Sequence, residues 1–295
     1  MISRILNKIQ RIRGGYGPVY GINRRNVELV YAKNPRRLYP YADDKILSKS
    51  CMEKAGVPTS KTLAVCRGLF EVTSTLEKLK GLDNFVIKPC QGSGGDGILI
   101  TGVRDGEGWT TPKGWISDLD VHRHMANIVF GAFSSQLEDT VLIETRVRPH
   151  ALFREFWDQG VCDVRIICVE DVPFIAMIRI PTSASGGKAN LHQGGIGAAV
   201  DLQTGLTTRA VSKGKSCTIH PESGVKIVGR QIPMWDECIS IAERASAAVP
   251  LNYVGVDIVI DETDGPLILE INARPGLEIQ NINGFGLGAA LENIR

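Results

Sequence analysis

The stretch Val254 to Leu277, VGVDIVIDETDGPLILEINARPGL, constrains this chain more than any other. Two apolar runs flank Asp261-Glu262-Thr263-Asp264-Gly265, turn-prone residues that predict a tight reversal and therefore a β-hairpin. A register centred on Thr263 and Asp264 sets Asp257 opposite Glu270. Because strand side chains alternate faces, Asn272 then shares their side. Ile258, Ile260, Leu267, Leu269 and Ile271 point the other way. Two carboxylates and a carboxamide on one face form an oxygen-rich site that suits Mg²⁺ or Mn²⁺ better than zinc or copper. The alternative is a solvated acidic strand face.

The chain has 295 residues, 43% of them hydrophobic, enough for one large or two modest domains. A net charge of +2 gives no bulk reason to expect nucleic acid as a partner. No uninterrupted apolar run reaches transmembrane length, and the first 25 residues lack the apolar core of a signal peptide, so a cytoplasmic location is the expectation. The seven cysteines are scattered, never in a C-x-x-C pair, which predicts reduced thiols and no zinc site.

In Met1 to Arg13, Ile2, Ile5, Leu6, Ile9 and Ile12 fall at helical spacing with Arg4, Lys8, Arg11 and Arg13 between them. Packing on the body or on another subunit would cover that apolar face, as would peripheral contact with anionic lipid. After a glycine-rich loop comes a short apolar run to Tyr31. Only about forty residues precede the next helix, too few for a complete βαβαβ domain. Asp43-Asp44-Lys45 opens that helix, which ends at Gly56-Val57-Pro58.

A strand, Thr62 to Val65, and a helix, Leu69 to Lys80, lead into Asn84 to Ile100. There a strand bears Lys88 near its end, a loop holds Gly92, Gly94, Gly95 and Gly97, and a second strand begins at Ile98. Glycines let backbone N–H groups approach a phosphate chain, and the lysine neutralises its charge. The loop is neither a Walker A nor a Rossmann fingerprint, since no helix follows the glycines. A plain flexible turn is the other reading.

Residues 103–118 read as a loop or small hairpin, followed by a helix from Leu119 to Phe133 and a strand at Thr140 to Thr145. The aromatic, basic segment Arg146 to Gly160 fits either a substrate-facing loop or an apolar plug. A hairpin about Glu170-Asp171 joins Val164–Val169 to Phe174–Ile180. The loop between Pro181 and Gly197 carries Lys188, Asn190, His192 and Gln193, donors that suit a charged ligand. For His192 a structural hydrogen bond outweighs general-base chemistry, because no carboxylate is near in sequence. Two further β segments, a helix from about Met234 to Val249, the hairpin and a C-terminal helix near Gly286 to Ile294 complete an α+β chain with largely antiparallel sheets.

In order, the chain presents Lys45 on a helix, Lys88 before Gly92-Ser93-Gly94-Gly95, Asp163-x-Arg165, Asn190-Leu191-His192-Gln193-Gly194-Gly195, Asp257, Glu270-x-Asn272 and Pro275-Gly276. From about Gly21 to the C-terminus this resembles the ATP-grasp superfamily, specifically the alpha-L-glutamate ligase-like proteins related to the ribosomal protein S6 glutamate ligase. The resemblance implies an ATP-grasp fold: two α+β lobes around ATP, a lid lobe over about 60–145 and a metal and substrate lobe over about 146–295, together spanning 41–295. Residues 1–40 would then abbreviate the separate N-terminal domain that relatives carry; a partner chain or second copy would supply the missing wall, or the substrate would be a long peptide lying across an open cleft.

The resemblance further assigns Lys45 and Lys88 to the phosphates and Gly92, Ser93 and Gly94 to the loop above them. The strand end from Glu144 to Val147 would supply adenine contacts, although it reads Glu-Thr-Arg-Val where the family usually has Gln-Glu-aromatic-apolar. Asp257, Glu270 and Asn272 match ligands of two Mg²⁺ (or Mn²⁺) ions. Arg179 and Asn190, joined by Arg165, match positions near the γ-phosphate and the incoming substrates, and Lys188 and His192 are further candidate substrate contacts. Arg274, two residues beyond Asn272 and so on the same expected strand face, would either pair with a substrate carboxylate or form a surface salt bridge. The implied activity is ATP-dependent carboxylate–amine ligation through an acylphosphate, joining an amino acid such as glutamate to a peptide, a protein C-terminus or a small molecule. A non-catalytic ATP-binding scaffold and a small-molecule phosphotransferase are the rivals.

Overall fold

The computed structural model describes residues 19–92, 94–134 and 137–292. The helix expected over Met1–Arg13 and the loop residue Ser93 lie outside them. The first lobe contains β1 (Thr62–Cys66), β2 (Phe85–Pro89), β3 (Leu99–Ile100), β4 (Arg104–Asp105), β5 (Gly108–Thr111), β6 (Gly114–Ser117) and β7 (Val141–Thr145). The second contains β8 (Asp163–Val169), β9 (Val172–Ile180), β10 (Ile196–Val200), β11 (Thr207–Ser212), β12 (Lys215–Cys217), β13 (Tyr253–Asp261) and β14 (Gly265–Asn272). They assemble as a four-stranded sheet β1-β7-β2-β3, a small sheet β4-β5-β6 and a seven-stranded sheet β12-β11-β10-β9-β8-β13-β14. The pairings are antiparallel, as the hairpin-rich sequence predicts.

Two apolar cores follow from this layering. Helices α1 (Lys45–Lys54), α2 (Leu69–Leu79), α3 (Asp118–Val129) and α4 (Trp235–Ala247) are the longer ones. The inner faces of α2 and α3 bury Val72, Leu76, Val121, Met125 and Ile128 against Phe85, Ile87 and Ile143 of the four-stranded sheet. Segment 103–118 folds as the three-stranded sheet, and its Trp109 plugs this core edge-on to Phe85 with ring centroids 5.3 Å apart. The larger core lies under the seven-stranded sheet, where Cys238, Ile241 and Ala245 of α4 meet Ile166, Ile258 and Ile260. The segment 146–160 is the plug: Phe153 and Phe156, on a short helix (Ala151–Phe156), are buried. Among the described residues no helix is long and apolar enough to cross a membrane.

The hairpin at the centre of the sequence reading forms by a different route. Asp261 pairs with Gly265, so three residues make the turn, capped where Asp261 Oδ1 accepts the N–H groups of Thr263 (2.8 Å) and Asp264 (3.1 Å). Gly265 follows at φ 73°, a left-handed value that suits glycine. This turn is one residue longer than the expected two-residue reversal. A bulge between Asp257 and Ile258 on one strand and Leu269 on the other restores the register, so that Asp257 faces Glu270 after all. The bulge corrects one expectation. Leu269 does not join Leu267 and Ile271 in the core but is 37% exposed.

The chain before α1 packs on the base of this hairpin. A helix at Ile22–Arg25 continues through Asn26–Tyr31, the run whose form the sequence left open. Arg25 Nη1 donates to the Pro275 carbonyl at 3.0 Å, and the Asn34 amide bridges the carbonyls of Tyr253 and Ala273. A parallel bridge between Thr59 and Ile268, with the Ile268 N–H on the Pro58 carbonyl at 2.9 Å, ties the entry of the first lobe to β14. A cleft lies between α1, β2 and β7 on one side and β14 on the other.

Candidate functional site

Register gathers the charged residues. Asp163 pairs with Arg179, Arg165 with Asp257, and Asp257 with Glu270, so alternation places these side chains and Asn272 on one face of four neighbouring strands. Asp257 is fully buried and accepts from Arg165 Nε at 2.6 Å and Nη2 at 2.5 Å, and from Arg179 Nη2 at 2.8 Å. Arg179 also grips both oxygens of Asp163, at 2.6 and 2.7 Å. Burial works against the charge on Asp257, but two guanidiniums outweigh it and hold the carboxyl below the usual carboxylate range. Asp163, with a smaller share of positive charge and Asp257 nearby, is pushed up by its burial.

Glu270 lines the cleft beside this lattice. Asn272 Nδ2 donates to Asp257 Oδ2 at 3.1 Å and to Glu270 Oε1 at 3.3 Å. Among the described residues no three His, Cys, Asp or Glu side chains form a metal-holding group. The donor chemistry nevertheless fits a hard divalent ion. Glu270 lines the cleft with carboxylate oxygens, Asn272 beside it adds an amide oxygen, and such an ion keeps waters and takes phosphate oxygens for its remaining positions. Asp257 shares their face with its oxygens committed to arginine.

The opposite wall is cationic. Asp44 caps α1 through the N–H groups of Ile46 and Leu47, and the helix then projects Lys45 and Lys49, four residues apart, toward the same side. Lys45 Nζ donates to the carbonyls of Gly92 (2.6 Å) and Cys90 (3.2 Å) at the start of the glycine loop. Lys88 on β2 and Lys49 both pair with the buried Glu144 of β7, and Lys49 also donates to the Ser60 carbonyl. Burial disfavours the Glu144 charge, yet Lys88 and Lys49 prevail and hold its carboxyl below the ordinary value. For Lys49 burial prevails, lowering its affinity for its proton against the pull of Glu144. About 350 Å³ of space, part of it open to solvent, separates this wall from Ile268, Leu269, Glu270 and Ile271.

The glycine loop is anchored at both ends. Asp139 accepts the Gln91 N–H, and His124 Nε2 meets the Gly97 carbonyl at 2.9 Å. Gly97 has φ 76°, and a Cβ there would stand 2.6 Å from Phe133, so no other residue fits. Lys188 Nζ meets Asp96 Oδ1 at 2.6 Å, which joins the glycine loop to the polar loop 181–195. Asn190 lies beside Gly94, and its Oδ1 caps the following turn through the His192 N–H at 3.0 Å.

Two candidates sit apart from this arrangement. Val147 lies beyond β7, half-buried in the connection between lobes. Arg274 was expected on the strand face of Asn272, but β14 ends at Asn272; Arg274 instead pairs with Asp43 at 2.7 Å over the Tyr39 ring. Sequence reasoning missed Lys49, whose only signal was its spacing from Lys45, and Leu269 and Leu142, apolar residues that line the cleft. The seven cysteines are unpaired, and burial, aided by Asp44, pushes the Cys90 thiol near the cleft up to about 12.

Paired antiparallel lobes with a lysine wall facing an acid-and-amide hairpin define an ATP-grasp fold. The chain belongs to the sugar-transfer associated ATP-grasp family, whose model matches residues 24–295. A probable alpha-L-glutamate ligase from Haemophilus influenzae is 23% identical over 262 residues, 88% of this chain and 65% of that protein. The chain therefore spans just under two thirds of that relative's length. Among solved structures, a biotin carboxylase–beta-gamma-ATP complex from Campylobacter jejuni has a TM-score of 0.53 at 12% identity, covering 82% of this chain and 42% of that one. A phosphoribosylamine–glycine ligase from Thermotoga maritima has a TM-score of 0.51 at 13% identity, covering 82% and 50%.

Proposed function

We propose that this chain is an ATP-dependent carboxylate–amine ligase, joining an amino acid such as glutamate to a peptide, protein or small-molecule acceptor. One observation carries the reading: Lys45 and Lys88 face Glu270 across a single cleft, with Asn272 and Arg179 on the adjoining sheet face. Cations for a polyphosphate thus stand opposite oxygen donors for its metal. The relative named a probable alpha-L-glutamate ligase supports the amino acid.

The chemistry demands electrostatic help, because a carboxylate and a triphosphate repel each other. Mg²⁺, when bound, would offset that repulsion and align the phosphate oxygens. Glu270 and Asn272 would hold the metal, with Asp257 joining once an arginine yields. Lys45 and Lys88 would exchange their present acceptors for phosphate oxygens. Arg179 would stabilise the charge that accumulates as the substrate carboxylate takes the phosphoryl group. Amine attack on the resulting acylphosphate then forms the amide, releasing phosphate and a proton. The glycine loop and the loop 181–195, joined by Lys188 and Asp96, would exclude water during transfer.

Mass spectrometry after incubation with ATP, Mg²⁺, pooled amino acids and candidate acceptors tests this. The panel includes amino sugars, prompted by the family's description. An acceptor heavier by an amino-acid residue, with ADP released, is the expected result. A phosphate gain would make the chain a phosphotransferase, and nucleotide binding with no ADP would make it a scaffold.

A further inference from the structure

Lys49 was not singled out by any motif, yet it is buried at the cleft floor. Its ammonium is held by the Ser60 carbonyl and by Glu144 Oε1, while Lys88 takes Glu144 Oε2. One carboxylate is thus shared by two ammonium groups, each on its own oxygen. Lys45, by contrast, rests on neutral carbonyls and makes no pair with Glu144.

We propose that Lys49 and Glu144 form a positioning pair that sets how freely Lys88 can engage a polyphosphate; this rests on the nucleotide reading above. Two lysines and one glutamate leave one net positive charge in a poorly hydrated place, where charge acts at full strength. Without Lys49, Glu144 would have Lys88 as its sole buried counter-charge. Drawing Lys88 toward phosphate would then strand a buried carboxylate, a costly event. With Lys49 fixed by the Ser60 carbonyl, Glu144 keeps a partner when Lys88 turns to an anion. Lys49 itself need not touch the ligand.

The test is a double-mutant cycle read by calorimetric binding of the non-hydrolysable analogue AMPPNP with Mg²⁺. Lys49→Met neutralises the triad and should weaken binding about tenfold or more. Glu144→Gln adds net positive charge and should tighten it. The double variant Lys49→Met with Glu144→Gln restores the balance and should bind within a few-fold of wild type, while adenosine, which has no phosphates, is held equally by all four. A structural role for Lys49 would leave the double variant no better than Lys49→Met. That outcome, an unchanged Lys49→Met, or weakened binding by Glu144→Gln overturns the inference and spares the nucleotide reading. A folded wild type that fails to bind AMPPNP overturns both. Should Lys49→Met not fold, Glu144→Gln alone still decides by the direction of its change.

Discussion

On the seven-stranded sheet, Asp163, Arg179, Asp257 and Arg165 alternate in sign and satisfy one another, two arginines against two aspartates. On the facing wall Lys49 and Lys88 share the single carboxylate of Glu144, while Lys45 rests on the carbonyls of Cys90 and Gly92. The first region is balanced and held by forked guanidinium–carboxylate bonds whose geometry strands impose. The second carries surplus positive charge on single-point donors, which rotate and change acceptor easily. A rigid neutral lattice suits holding a metal-binding face in register. A cationic wall whose acceptors a phosphate can replace suits meeting a triphosphate.

The sharpest way to break this contrast is at the lattice centre. Asp257→Ala would leave two largely buried guanidiniums without their shared acceptor, and we expect a loss of about 3–5 kcal/mol in denaturant unfolding. A loss below about 1 kcal/mol would mean that water already screens the lattice. Asn272→Ala, at the lattice edge, should leave the melting temperature nearly unchanged while cutting ADP release at least about a hundredfold. A purified variant turning over ATP at the wild-type rate would remove Asn272 from the site.

The lysine wall is probed by acid. Glu144 has its carboxyl pKa lowered in the fold, so its ionised pairing stabilises the protein above the ordinary glutamate value and is lost as pH falls through the lower, folded one. Stability measured downward from pH 5 should therefore fall more steeply in wild type than in Glu144→Gln. Equal slopes would show that the two lysines do not hold the charge.

The hairpin shows what a sequence does and does not disclose. Asp257 opposite Glu270 was legible because period-2 alternation and turn residues are local signals. The three-residue turn and the bulge were not, since their offsets cancel at Asp257 and leave a trace only at Leu269. The longer strands were readable for the same local reason, with ends shifted by a residue or two, but the three short strands of 103–118 were not, since two to four residues are too few to show an alternation. The helix at Glu278–Asn283 escaped because six residues are too few to show a helical period; Gly284 at φ 78° ends it ahead of the C-terminal helix that the sequence does predict. Lys49 escaped because a helical lysine is usually a solvated one; only the fold, by laying α1 against β7, buries it. Arg274 leaned on strand alternation that stops two residues too early.

The smallest expected effect lies at the rim, where Lys188 and Asp96 form an ion pair whose setting differs from that of the floor pairs. Their side chains are 35% and 63% exposed, so water and salt screen the pair and ordering two flexible side chains offsets much of the attraction. Asp96→Asn should change stability by less than about 1 kcal/mol, with the difference vanishing as salt is raised. Its consequence would instead be kinetic: freed from Asp96, the glycine loop should admit and release AMPPNP a few-fold faster in stopped-flow measurements, with both rates rising together and the affinity nearly constant. A loss beyond about 2 kcal/mol would place the rim with the lattice as structural. A change in affinity carried by the release rate alone would place Asp96 among the groups that face the nucleotide.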